Sequence, residues 1–321
     1  MKFSRLFLVC ALAATSLSVL AQQETTTLIY GGEIYSADPG NPHPQSIAIK
    51  GSKIIAVGNY HDVLAQVGQD ATHLDLKGKY LLPGLIDSHA HVAYAGFQTV
   101  TLAFPDGMKD ITVIEKFVAD NKNNSQRDLN GVQFYSNLNL DYWNNIPLLS
   151  AVFNTDEYKD IPVVLAGSDA HTGWANQAML RKANLTDDML GTAEPGIKAG
   201  VGLTASGKIN GFVAEGAWDY VLNAIPPVDD NKIAQGILAG TQEMNRFGIT
   251  AWMDPISNVR PLAPVFNAHP GRHDEGLLPA YTTLAEKGKL NGHVTALALV
   301  NIHSTPAAID DVVALRDKFS H

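Results

Sequence analysis

Cysteine is nearly absent from this sequence, and its scarcity excludes two kinds of structure. The 321 residues contain one cysteine, Cys10, which lies inside an apolar run near the N-terminus. If that run is removed by processing, the remaining chain can hold neither a disulfide nor a zinc ion on cysteine ligands. We therefore interpret Cys10 as a small apolar residue of that run.

Basic residues are also few, and they form no cluster. Lysine and arginine number 23 against 32 aspartates and glutamates, and the formal net charge is -9. A chain with this charge repels a phosphate backbone, so the sequence predicts no nucleic-acid partner. Apolar residues make up 45% and charged residues 17% of the sequence, which is an ordinary balance for a globular protein.

Long apolar runs are missing, apart from residues 6–20. This run covers about 15 residues, whereas a helix that spans a bilayer needs roughly 20. It follows Lys2 and Arg5 and ends with small residues just before Gln22. The pattern is typical of a signal peptide over residues 1–21. We therefore predict an exported protein, periplasmic or secreted, without a stable membrane anchor.

Residues 22–82 contain short β-rich runs that are separated by turns. Residues 46–50 and 53–58 flank a Gly-Ser dipeptide, a spacing that predicts a hairpin. Residues 72–76 alternate polar and apolar side chains, as a half-buried strand does. The segment is therefore predicted to be a small β module.

Residues 83–321 alternate predicted strands with predicted helices, which favours an α/β fold with parallel strands. Leu85 and Ile86 belong to an apolar run that predicts a first strand buried on both faces. Residues 248–254 are predicted to be the second strand, which ends in an acid, and residues 293–300 the third.

A long insertion separates the first of these strands from the second. It covers about residues 95–245 and mixes predicted strands with predicted helices. Asp110 is predicted to cap a helix that runs through Ile114 and Val118, because aspartate favours the N-cap position. Residues 191–211 are rich in glycine and are predicted to form a loop.

His89 and His91 follow the first predicted strand and are the main candidates for metal ligands. Residues two apart on an extended chain point to the same side, so both imidazoles can reach one ion. Neutral imidazole suits zinc, and Asp87 is better placed to orient a ligand histidine than to bind metal. Two histidines at a solvated loop edge are the alternative. The carboxyl end of a buried strand, where barrel active sites lie, favours the metal site.

Residues 82–91 resemble the opening of the amidohydrolase superfamily, and the β module before them resembles the first part of its urease-like composite sandwich. Residues 163–176 are similar to a stretch of the amidohydrolase 3 subgroup, which includes the N-substituted formamide deformylases. The resemblance implies an α/β fold with a partial TIM-like (β/α) barrel of metal-dependent hydrolases. This barrel would carry the N-terminal composite β-sandwich module and a large insertion after strand one.

The resemblance also implies a function. It predicts metal-dependent hydrolysis of a carbon–nitrogen, non-peptide bond in a small amide or N-acyl substrate, with a divalent metal ion, zinc, on the histidine pair. His171, Asp169, Trp174 and Glu215 are then candidates for substrate binding. From the residues alone, other roles stay open for them: a loop histidine bonded to backbone, a helix cap, core packing and a solvated carboxylate.

The family's remaining metal ligands, a lysine and two histidines, and its catalytic aspartate belong to later barrel strands. A whole barrel takes about 250 residues, and the sequence after residue 254 is much shorter than the remaining strands require. We therefore expect an incomplete barrel in residues 83–321, without an identified catalytic residue. The alternative is an inactive fragment that only binds, or half of a split enzyme. Its partner would be a second copy or a C-terminal half.

Overall fold

The computed structural model describes residues 25–265, 275–300 and 304–320. The chain divides into two units, Met1–Pro83 and Gly84–His321. The predicted signal peptide, with Cys10, lies outside the described residues.

The first unit is built on a four-stranded sheet. Its elements are β1 (Thr26–Tyr30), β2 (Glu33–Ile34), β3 (Ser46–Lys50), β4 (Lys53–Gly58), α1 (Tyr60–Val67), β5 (Thr72–Asp75) and β6 (Tyr80–Leu81). The strand order is β4-β3-β1-β5, and β2 pairs separately with β6. The predicted hairpin is confirmed by the antiparallel pairing of β3 with β4. Leu28, Ala48 and Val63 form the core beneath α1, and the composite sandwich stays a prediction.

The second unit alternates strands and helices along most of its length. Its elements are β7 (Leu85–Asp87), α2 (Val92–Val100), β8 (Leu102–Ala103), α3 (Ile111–Asp120), β9 (Asp128–Leu129), β10 (Val132–Leu138), α4 (Ile146–Phe153), β11 (Val163–Gly167), β12 (Thr172–Ala175), α5 (Gln177–Lys182), α6 (Asp187–Thr192), α7 (Pro195–Ala199), β13 (Val201–Leu203), β14 (Ile209–Ala214), α8 (Glu215–Leu222), α9 (Asp230–Arg246), β15 (Ile249–Asp254), α10 (Leu278–Glu286), β16 (His293–Ala296) and α11 (Ala307–Phe319).

Three parallel strands form the sheet that carries the histidine pair. The strand order is β16-β15-β7, so the predicted first, second and third strands are neighbours. Trp252 of β15 pairs with Asp87 of β7, and Asp254 pairs with Ala296 of β16. The α/β class is therefore confirmed, and the partial (β/α) barrel stays a prediction.

The prediction that the first strand is buried on both faces is wrong. Leu85 is 59% exposed and Ile86 is 77% exposed. Within the described residues, β7 pairs only with β15, so one edge of the strand is open. An apolar sequence is typical of a strand buried on both faces, but burial requires other segments to cover those faces, and the described residues leave Leu85 and Ile86 exposed.

The insertion folds into a mixed seven-stranded sheet, whose strands lie between α2 and α9 in the sequence. The strand order is β13-β14-β12-β11-β10-β8, with β9 beside β10. Both faces of the sheet are covered, because Val164 belongs to one apolar core and Leu165 to the other. The first core also contains Trp252 of β15. The insertion and the three parallel strands therefore share one core.

The prediction of a glycine-rich loop over residues 191–211 is wrong. The segment contains α7, β13 and the start of β14. Gly211 has a φ of +96°, and a Cβ there would lie 2.4 Å from Nε1 of Trp174. A Cβ at Gly202 would lie 2.8 Å from Cβ of Phe212. These glycines are needed for close packing within a sheet, which the composition alone does not distinguish from loop flexibility.

Candidate metal site

His89 and His91 lie between the end of β7 and the start of α2, and both are exposed. Their ring centroids are 5.2 Å apart, and the ring planes meet at 88°. Two imidazoles on one tetrahedral zinc ion have ring centres about 5 Å apart, given Zn–N bonds of about 2 Å. The spacing and the donor atoms of the pair therefore fit two ligands of one zinc ion.

The backbone around the pair is held by hydrogen bonds from both sides. The amide N–H of His89 donates to Oδ1 of Asp87 at 3.0 Å. The amide N–H of Ala90 donates to the carbonyl of Met253 at 2.9 Å. The Asp87 carboxylate therefore contacts the backbone of His89, and its role in orienting a ligand histidine stays a prediction.

The electrostatics of His91 favour a neutral ring. Partial loss of solvent around its ring lowers the pKa of His91, and the neighbouring His89 lowers it further, while the Pro255 carbonyl acts in the opposite direction. Only a neutral imidazole can donate its lone pair to a metal ion. The environment of His91 thus favours the form that binds metal.

Asp254 is a buried carboxylate at the end of β15, where the sequence predicted only a strand that ends in an acid. Its side chain is fully buried, and the hydroxyl of Tyr281 on α10 donates to its Oδ2 at 2.5 Å. Burial raises the pKa of Asp254 to about 6, although the hydrogen bonds from Tyr281 and from the Ala93 amide oppose this rise. An acid at the carboxyl end of a parallel strand was the signal in the sequence.

The histidine pair by itself does not make up a complete metal site. Within the described ranges, no group of three or more histidines, cysteines, aspartates or glutamates is placed to hold a metal ion. Catalytic zinc sites use three protein ligands with a water or substrate in the fourth position. His89 and His91 fit as two of these ligands.

The insertion brings two of the other candidate residues together. Nδ1 of His171 lies 3.6 Å from Oε2 of Glu215, and their side chains are 52% and 60% exposed. The amide N–H of Glu215 also donates to the carbonyl of His171 at 3.1 Å. The two residues are 44 positions apart in the sequence, so only the pairing of β12 with β14 brings them together.

The backbone that presents this pair is strained. Ala170 has a φ of 61° and Glu215 a φ of 47°, a left-handed region that costs a non-glycine residue roughly 1–2 kcal/mol. The indole N–H of Trp218 donates to the Ala170 carbonyl at 3.1 Å and holds the turn in place. Strain of this kind concentrates at functional sites.

Asp169 and Trp174 have structural partners that explain their places in the sequence. Oδ1 of Asp169 accepts hydrogen bonds from the amide N–H groups of His171 and Thr172, both at 3.1 Å, so this carboxylate stabilises the turn between β11 and β12. Trp174 is fully buried, and its indole N–H donates to the Asn210 carbonyl at 3.1 Å. Trp174 therefore packs in the core, and its role in substrate binding stays a prediction.

Three comparisons relate the chain to known proteins. The model of the amidohydrolase family, amidohydrolase 3, matches residues 72–319. The chain is 25% identical over 231 residues to "Protein LONG AFTER FAR-RED 3" of Arabidopsis thaliana, across 71% of this chain and 38% of that protein. It is 33% identical over 70 residues to the N-substituted formamide deformylase of Arthrobacter pascens, across 22% of this chain and 13% of that protein. An uncharacterized metal-dependent hydrolase from Pyrococcus horikoshii OT3 is similar in structure, with a TM-score of 0.59, 19% identity and coverage of 91% of this chain and 51% of that chain.

The matched relatives are each covered only in part. The chain spans about half of the Pyrococcus structure, 51%, and less than half of the Arabidopsis protein, 38%. At 19% identity, the structural likeness concerns the fold. The family model covers most of the chain, and it confirms the prediction made from residues 82–91 and 163–176. This chain belongs to the amidohydrolase family.

Proposed function

We propose that this chain supplies two metal-binding histidines to a hydrolase of carbon–nitrogen, non-peptide bonds, which acts on a small amide or N-acyl substrate. The observation that carries the proposal is the position of His89 and His91 at the end of a parallel strand, with ring centroids 5.2 Å apart. Membership of the amidohydrolase family supports the reaction class.

The proposed metal is a divalent ion, zinc, because the two proposed donors are imidazole nitrogens. When bound, such an ion activates water and polarises a carbonyl group. Asp87 fixes the backbone of His89 through the amide hydrogen bond. The lowered pKa of His91 keeps its ring ready to bind near neutral pH.

The proposed contact with substrate is made by His171 and Glu215. An exposed ion pair contributes roughly 0–1 kcal/mol to stability, so folding alone gives little reason to hold this one on a strained backbone. The imidazole and the carboxylate offer a hydrogen-bond donor and an acceptor to the polar part of a substrate. Asp169 supports them by holding the turn that carries His171.

Metal content of the purified chain tests the proposed function. We expect His89→Ala and His91→Ala each to lower the affinity for zinc by at least about tenfold, because removing one ligand leaves the site with a single known donor. Zinc per chain is measured by elemental analysis after dialysis, and affinity by competition with a chelator.

Glu215→Gln is the matched control, since it changes a site residue of the insertion without removing a proposed ligand. It should keep the zinc content of the wild type, while substrate binding, once a substrate is found, becomes weaker. Equal zinc in the wild type and both histidine variants would show that the pair does not bind the metal.

The N-terminal sequence supports a further proposal, export to the periplasm or the medium. Lys2 and Arg5 precede the apolar run of residues 6–20, as in a signal peptide. In the part of the chain that the structure describes, none of the helices has the length and apolar character needed to cross a bilayer. The mass of the mature protein recovered from cell fractions tests the proposal. The full mass in the cytoplasm would contradict it.

A further inference from the structure

The end of β15 contacts the histidine segment at three consecutive residues. The Met253 carbonyl accepts the hydrogen bond from the Ala90 amide at 2.9 Å. The Pro255 carbonyl faces the ring of His91 closely enough to oppose the lowering of its pKa. Between them, the Asp254 carboxylate interacts with the amide of Ala93 in the first turn of α2. One strand end thus touches the backbone, a ring and the following helix of the candidate site.

Asp254 is itself held through one side-chain oxygen and through its backbone carbonyl. Tyr281 donates to its Oδ2 at 2.5 Å, and its backbone carbonyl accepts hydrogen bonds from Oγ of Ser257 at 2.6 Å and from the amide of Leu297 at 2.9 Å. Because Asp254 is held at both its side chain and its carbonyl, the backbone of the next residue has little freedom to move. The carbonyl of Pro255, one residue later, is therefore kept in place.

The start of α2 needs a group like this carboxylate. His91 is the N-cap residue of α2, and within the described residues its side chain makes no capping hydrogen bond. The first amide N–H groups of a helix have no partner inside the helix, and a negative charge near them is favourable. Asp254 provides that charge from the neighbouring strand, which leaves the ring of His91 available for another role.

The burial of Asp254 argues against a purely structural role. A buried carboxylate lowers stability unless it is fully hydrogen-bonded. Among the described residues, Oδ1 has no hydrogen-bond partner, so the carboxylate is not fully hydrogen-bonded. A neutral side chain of similar size would fit this place at a lower free energy.

We propose that Asp254 is a positioning residue for the histidine pair. By fixing the first turn of α2 and the carbonyl of Pro255, it sets the orientation and the tautomer of His91. A histidine whose ring N–H is held by a backbone carbonyl presents its other nitrogen to the metal. This inference rests on the proposed function only in taking His91 to be a ligand.

The tautomer of His91 is the first readout, and it needs no metal. We expect ¹⁵N-edited NMR of the metal-free wild-type chain to show a single tautomer for His91, and Asp254→Ala and Tyr281→Phe to show a mixture. Asp254→Asn, which keeps an acceptor for Tyr281, should restore part of the wild-type signal. Leu149→Ala is the control, because it weakens the core around α4 without touching the strand end.

Affinity for Co²⁺, followed by its visible absorption, is the second readout. Asp254→Ala should weaken binding about 10- to 100-fold, as removal of a group that orients a ligand does, whereas Leu149→Ala should leave it unchanged. If the wild type binds Co²⁺ no better than His91→Ala does, the proposed function is wrong. The tautomer of His91, which is measured without metal, then tests the inference separately. A His91 tautomer that is the same in Asp254→Ala and the wild type would overturn it.

Discussion

Gly96→Ala is expected to lower the free energy of unfolding by about 3 kcal/mol, the upper end of the usual cost of overpacking. A Cβ at this position would lie 1.8 Å from the carbonyl oxygen of Gly236 and 2.6 Å from the amide nitrogen of Gly240. These are backbone atoms of α9, and they cannot rotate away as a flexible side chain can. The two helices must move apart, and the contact between α2 and α9 is lost.

The direction of this effect is opposite to that of helix propensity, which favours alanine over glycine by about 1 kcal/mol. Gly191→Ala in α6 is the matched control, because no described atom lies within 4 Å of a Cβ built there. Urea unfolding should show a loss for Gly96→Ala and no loss for Gly191→Ala. Similar stability of the two variants would contradict the close helix contact. Because α2 begins directly after His91, Gly96→Ala should also disturb the candidate metal site.

Asp254→Asn is expected to gain about 3 kcal/mol of stability relative to the wild type as the pH rises from about 3.5 to 7.5. The pKa of Asp254 is raised by burial from 3.8 to about 6. Each unit of such a shift corresponds to about 1.4 kcal/mol of difference between the folded and unfolded chains. Asparagine cannot ionise, so the variant lacks this contribution.

The sign follows from which state holds the proton. Below about pH 4, the carboxyl is protonated in both states, and its raised pKa has no effect on stability. Between about pH 4 and 6 the unfolded chain loses the proton first, so the wild type becomes less stable as the pH rises. Above about pH 6 the folded state also carries the buried charge, and the full loss is present.

Denaturant unfolding at several pH values checks this prediction. Leu149→Ala is the control. It removes core packing and changes no titratable group, so its free energy of unfolding should differ from that of the wild type by the same amount at every pH. Parallel stability curves for Asp254→Asn and the wild type would show that the carboxyl is not perturbed. If stability changes with pH at different slopes in the two proteins, and Asp254→Ala also loses Co²⁺ affinity, then the Asp254 carboxylate lowers the stability of the fold while it raises the metal affinity of the site.

The sequence by itself determined the local features of this protein. The two-residue spacing of His89 and His91 places both rings on one side of an extended chain, and the rings are adjacent in the structure. Asp110 accepts a hydrogen bond from the Thr112 amide at 2.9 Å and begins α3, because N-capping depends only on the next few residues. The three parallel strands occur in the predicted order.

Only the tertiary structure decided the contacts between distant segments. Asp254 and Tyr281 are 27 positions apart, and His171 and Glu215 are brought together by strand pairing. No periodicity in the sequence records such distances, because they depend on how α10 and β14 pack. The same reason explains the errors at Ile86 and in residues 191–211: an apolar residue is buried only where a neighbour covers it, and a glycine indicates a loop or a close contact according to what lies opposite.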